Sequence, residues 1–173
     1  MLISTRFSRC KPGVRKREFP RFRDWRCFTS AEDGSSILDL VSSSMERRGY
    51  DHKKVFAVRL ALEEAMVNAV KHGNRHDPTK CVRATWHVGP NRVIIGIEDE
   101  GDGFDPRAVP DPCTSETLER SCGRGVFLMR HFMSSVHYNR RGNRVTMRMR
   151  RARGLEDLTH SSRSNAWDLS DWS

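Results

Sequence analysis

LALEEAMVNAVKHGN, residues 60–74, is the stretch on which the fold turns. Apolar side chains recur at Val55, Val58, Leu62, Met66, Ala69 and Val70, a spacing that predicts a helix capped at Asp51 and stopped near Gly73. Glu64 and Asn68 stand one helical turn apart, so a carboxylate and an amide project together, with His72 on the same stripe beside the core face. On an isolated helix such a stripe reads as a solvated surface. Two glycine-rich turns farther along the chain change that reading.

Toward the N-terminus, RFRDWRCFT (21–29) alternates as a strand. Ser30 then caps a helix through Arg48, with Ile37, Leu40, Val41 and Met45 facing inward and Gly49 ending it. Toward the C-terminus, the turn-forming His76, Asp77 and Pro78 separate the central helix from two strands. Residues 81–88 put Val82, Ala84, Trp86 and Val88 on one face, and residues 92–98 put Val93, Ile95 and Ile97 on one face. Gly89, Pro90 and Asn91 between them predict a hairpin. The second strand runs into Asp99-Glu100-Gly101-Asp102-Gly103, an acidic glycine-rich turn placed where a ligand can approach backbone.

A loop with Pro106, Pro110 and Pro112 follows as far as Cys122, longer than an ordinary connection and so read as a lid or as disordered. Gly123-Arg124-Gly125 then opens a helix through VFLMRHFM (126–133). Residues 136–140 and 144–150 close the core as a hairpin across Arg141, Gly142 and Asn143, with Val145, Met147 and Met149 inward.

One chemistry accounts for all three polar features. Backbone N–H groups at a helix start favour phosphate, and glycine lets the backbone come close to it. The carboxylate of Asp99 at a strand end can accept from an exocyclic amine. The amide oxygen of Asn68 is a hard ligand suited to Mg²⁺, and Glu64 can deprotonate an attacking hydroxyl or water. Each motif is common alone, and their order and strand or helix contexts make the set specific.

LEEAMVNAVKHGN, IEDEGDGFDP and SCGRGVFLMRHFMSSV resemble, in that order, the N box and the two glycine boxes of the GHKL ATPase and kinase family with the Bergerat fold. Within it the chain is most similar to the small anti-sigma-factor serine kinases. The resemblance covers residues 25–150. It implies an α+β fold, a two-layer sandwich whose mixed, mostly antiparallel sheet carries helices on one face. It implies ATP with Mg²⁺, phosphorylation of a serine on an anti-sigma-factor antagonist protein, sequestration of a sigma factor, regulation of transcription by partner switching, and a homodimer. By motif position Glu64 is the general base, Asn68 the magnesium ligand and Asp99 the adenine contact. Gly101, Gly103, Gly123 and Gly125 supply backbone contacts, and Arg120 and Arg124 are candidates for the γ-phosphate. The alternative carried beside it is a non-catalytic module that holds a partner under ATP control.

The 173 residues, 36% hydrophobic, suit one domain, expected over residues 21–150 between a basic flexible arm (1–20) and a polar flexible tail (151–173) in which Trp167 and Trp172 stand isolated. The net charge of +9 lies at the ends. Residues 1–23 hold eight Arg or Lys against one Glu, and residues 140–173 hold eight Arg against four acids. A nucleic-acid module ranks low, because neither a recognition helix nor an aromatic platform accompanies the charge. Five cysteines without a C-x-x-C pair point to neither a disulfide framework nor a zinc site. With neither an apolar span nor a signal peptide, the expected location is the cytoplasm. His72 and His76, four apart beside Asp77, suggest a metal hydrolase only weakly, since Gly73 interrupts the helix between them. His72 is instead expected to pack or hydrogen-bond beside the nucleotide pocket.

Overall fold

The computed structural model describes residues 24–105 and 124–151, with Arg124 described only in its backbone. In chain order the elements are β1 (Asp24–Phe28), α1 (Ala31–Glu46), α2 (His52–Asn68), a π-helical turn (Ala69–Gly73), β2 (Val82–Val88), β3 (Arg92–Glu98), α3 (Arg124–Phe132), β4 (Ser135–Tyr138) and β5 (Arg144–Arg150). The five strands form one sheet in the order β1-β2-β3-β5-β4. The expected sheet is mostly antiparallel, and every pairing among the described residues is antiparallel.

Period-two burial decides which sheet face is covered. Trp86, Ile95, Met147 and Val136 lie opposite one another across four strands, and the rows on either side carry Ala84 with Ile97 and Val88 with Val93. These side chains meet Leu62, Met66 and Val58 of α2 and Met129 of α3 in one buried cluster. The opposite face carries polar and charged side chains, including the Arg83–Glu98 pair at 3.7 Å. The result is a two-layer α+β sandwich with helices on one face.

Caps set the helix starts. The Ser30 hydroxyl accepts from Asp33 N at 3.2 Å and the Asp51 carboxylate from Lys54 N at 2.8 Å, contacts typically worth about 1 kcal/mol each. All six apolar positions expected to face inward on the central helix are buried. Ala57, Ala61 and Ala65 join them, because α2 lies between α1 and α3 as well as on the sheet. On α1 the expectation for Leu40 fails: it is 44% exposed and Leu38 is buried in its place. At about 100° per residue, Leu40 is rotated about 105° from the centre of the stripe formed by Gly34, Ile37, Val41 and Met45, and Leu38 only about 55°.

The end of the central helix also differs from expectation. It passes into a π turn, marked by Asn74 N donating to Ala69 O, five residues back, at 2.8 Å, and His76 N, donating to Val70 O at 3.0 Å, closes its end. Arg75 and His76 then take left-handed conformations, with φ of 54° and 58°. His72 and His76 therefore do not share a helical face, which removes the geometric basis of a paired-histidine metal site. His72 itself is exposed, not packed.

Candidate functional site

The two acidic motifs and the second glycine motif gather at one end of the helical layer. Glu64 and Asn68 are half-buried on α2, facing the first turn of α3. A Cβ on Gly125 would stand 2.6 Å from Glu64 Oε2 and 3.0 Å from Asn68 Nδ2, so a side chain here would push the polar ends of the pair out of their present positions. The helix start, the carboxylate and the amide thus border one space.

Asp99 is held from three sides. Its backbone is clamped by the β4–β5 hairpin: Asp99 N donates to Asn143 O at 3.0 Å, and Asn143 Nδ2 donates to Asp99 O at 2.9 Å. Its Oδ1 accepts from Gly101 N at 2.8 Å. Its carboxylate lies against the Cα of Gly73, where a Cβ would overlap it. Burial raises its pKa above the ordinary 3.8, against the Gly101 N–H bond and the charge of Arg141, which pull it down. An acid kept partly from water with one oxygen already hydrogen-bonded is a directional acceptor.

The glycines of the acidic turn have an intramolecular reason beyond ligand approach. Gly101 packs on the carbonyl of Gly73, leaving no room for a side chain. Gly103, with φ of 81°, lies against the Arg141 carbonyl. Arg141 Nη2 donates to Gly101 O at 2.9 Å, and Phe104 packs edge-on against Tyr138 with ring centres 5.0 Å apart. On the other side Asn74, 2% exposed, accepts from Glu100 N at 2.9 Å. The π turn makes this contact, because its wider ring brings Gly73 and Asn74 under the acidic turn. Gly101→Ala is expected to lower stability by about 1–3 kcal/mol through overpacking against backbone that cannot rotate away. Chemical denaturation checks this, and an unchanged midpoint would refute the packing account.

Of the residues singled out from sequence, Glu64, Asn68 and Gly125 come together, and Asp99 and Gly101 come together with Gly73. Gly103 seats the turn on the hairpin. Arg120 and Gly123 lie outside the described residues, as do the lid from residue 106, the basic arm and the tail beyond Arg151, which is itself held by hydrogen bonds to Asn91, Arg48 and Gly49. Arg124 opens α3, and its side chain is likewise outside them. Sequence reasoning missed Gly73, Asn74, Arg141 and Asn143 as builders of the site. A signal for two of them was the Gly-Asn pair that ends the central stretch.

A family described as the histidine kinase-like ATPase domain matches residues 29–149, most of the chain. The chain belongs to that family. Membership of the histidine kinase-like ATPase family gives the fold and ATP binding together. Curated relatives carry kinase names. The chain is 28% identical over 128 residues to the serine-protein kinase RsbW of Bacillus subtilis, covering 70% of this chain and 79% of that one. It is 27% identical to the RsbW of Staphylococcus epidermidis, covering 72% and 83%. To the serine/threonine-protein kinase BtrW of Bordetella bronchiseptica it is 31% identical, over 50% of this chain and 62% of that one. Among the described residues, no helix is long and apolar enough to cross a membrane.

Proposed function

We propose that this protein is an ATP-dependent serine/threonine-protein kinase of the anti-sigma-factor type. It phosphorylates a serine of an anti-sigma-factor antagonist, and it holds a sigma factor when the antagonist is not bound, so that transcription is regulated by exchange of partners. A homodimer acting in the cytoplasm belongs to the same reading, with residues 21–150 as the kinase domain. The observation that carries the reading is the meeting of Glu64 and Asn68 with the glycine-led start of α3. The kinase names of the relatives support the reaction class.

The residues present fit Mg-ATP. Among the described residues no three His, Cys, Asp or Glu side chains converge into a protein-only metal cage, and Mg²⁺ commonly needs only one or two protein oxygens besides phosphates and waters. Asn68 would supply the amide oxygen. When bound, the ion neutralises charge on the transferring phosphate. Asp99 would accept from the adenine amine, and the backbone N–H groups at the start of α3 would receive the phosphates. Glu64 takes the proton of the serine hydroxyl as it attacks.

Thermal unfolding tests the nucleotide part. Mg-ATP at about 100 times its Kd is expected to stabilise the chain by about 2.7 kcal/mol, and Mg-GTP at the same concentration by far less. Equal shifts with both nucleotides would remove Asp99 as an adenine reader. The absence of any shift with Mg-ATP would remove the kinase reading.

A further inference from the structure

An apolar groove lies at the far ends of the same two helices, two turns or more along α2 from Glu64. It has a volume of about 650 Å³ and a floor of Phe56, Ala57, Phe132 and Met149. Phe56 is 62% exposed, a large apolar surface for a helix position. The rim is basic. His52 and Lys53 are exposed there, and Lys54 is already 3.6 Å from Asp51.

The chain leaves its last strand beside this groove. Met149 is in the floor, and Arg151, two residues on, is pinned next to the start of α2. Its backbone N donates to Asn91 O at 2.8 Å, its guanidinium donates to Arg48 O at 2.9 Å and Gly49 O at 2.7 Å, and it lies over the Tyr50 ring at 5.3 Å. Residues 152–173 follow, with four acids against two arginines, and they include AWDLSDW at 166–172. That segment alternates two tryptophans and a leucine with two aspartates, complementary to an apolar floor with a basic rim. Sixteen residues separate Arg151 from Trp167, and a coil of that length would span about 20 Å, ample for a groove that begins two residues back. Tethering gives an effective concentration on the order of millimolar, so modest contacts suffice.

We propose that residues 166–172 dock in cis in this groove, a tryptophan covering Phe56 while Asp168 and Asp171 face Lys53 and His52. The docked segment joins α2 to α3 at the ends opposite the nucleotide site. This docking is independent of the kinase reading.

Fluorine NMR of the full chain labelled with fluorotryptophan tests it, the four resonances being assigned by single Trp→Phe substitutions. Trp25, 55% exposed, is the solvent reference, and Trp86 in the core reports folding. At least one tail resonance is expected away from its position in urea and several-fold less broadened by a soluble paramagnet than Trp25. Phe56→Ala or Lys53→Glu should return it to the solvent position with Trp86 unmoved. Asp168→Lys with Asp171→Lys should restore it in the Lys53→Glu background. Tail resonances as accessible as Trp25 and indifferent to Phe56→Ala would overturn the proposal. So would a displacement that disappears on dilution, since that assigns the groove to the tail of a second copy.

Discussion

Glu64→Gln is expected to lower phosphate transfer by about 10²–10⁴-fold while leaving ATP affinity nearly unchanged. The substitution keeps the shape of the side chain, so its packing against Gly125 and the spacing to Asn68 survive. What it removes is the ability to accept a proton. A residue that only shaped the pocket or bound nucleotide would show its loss in KM, whereas a base shows it in kcat. Single-turnover transfer with equal ATP occupancy checks this. A rate within a few-fold of the unsubstituted protein would take the base role away from Glu64.

Asp99→Asn should have opposite effects on binding and on stability. One carboxylate oxygen already accepts from Gly101 N, and the other would face the adenine amine. An amide in its place offers one acceptor and one donor, so a donor must meet a donor on one side or the other. Loss of such a buried hydrogen bond costs about 1–3 kcal/mol, or roughly 5–150-fold in ATP affinity. The unliganded protein, by contrast, should gain stability. Burial, helped by the neighbouring Glu98 charge, holds the Asp99 pKa above 3.8 in the folded state. The folded state therefore binds its proton more tightly than the unfolded chain, and stability falls as pH rises from about 3.8 through the raised value. Above that window the penalty is constant, and Asn removes it. The advantage of Asp99→Asn should thus be present at neutral pH and vanish below the window. Melting curves against pH measure it, and an advantage that is absent at neutral pH or grows on acidification would contradict the assignment.

The legible parts of this molecule were those set by local periodicity. Alternation exposed the inward rows Val82, Ala84, Trp86, Val88 and Val93, Ile95, Ile97, because these strands turn their large apolar side chains to the helices, even where Thr85 of the other face is buried too. Helical spacing exposed the inward side of α2, and the hydrogen-bonding residues Ser30 and Asp51 marked where helices begin. Where two apolar neighbours competed, as with Leu38 and Leu40, the answer depended on the rotation of the whole stripe. The π turn was not legible, because it is held by contacts to residues about 25 positions away, with Asn74 on Glu100 and Gly73 under Gly101. For the same reason Asn143 and Arg141 gave no sign of their part. Their role is a clamp on backbone from another strand pair, and no pattern within 139–143 encodes it. The sequence order of the glycine boxes nevertheless pointed to a proximity that the fold contains, since Gly125 does meet Glu64 and Asn68.

The most direct test is transfer of labelled γ-phosphate from Mg-ATP to a serine of candidate antagonist proteins, measured with ATP binding on the same preparation. The predicted result is phosphoserine on an antagonist, formed by the unsubstituted protein and not by Glu64→Gln. ATP bound at the site and a partner held, with no phosphate on any candidate, would contradict it and leave a nucleotide-gated sequestering module.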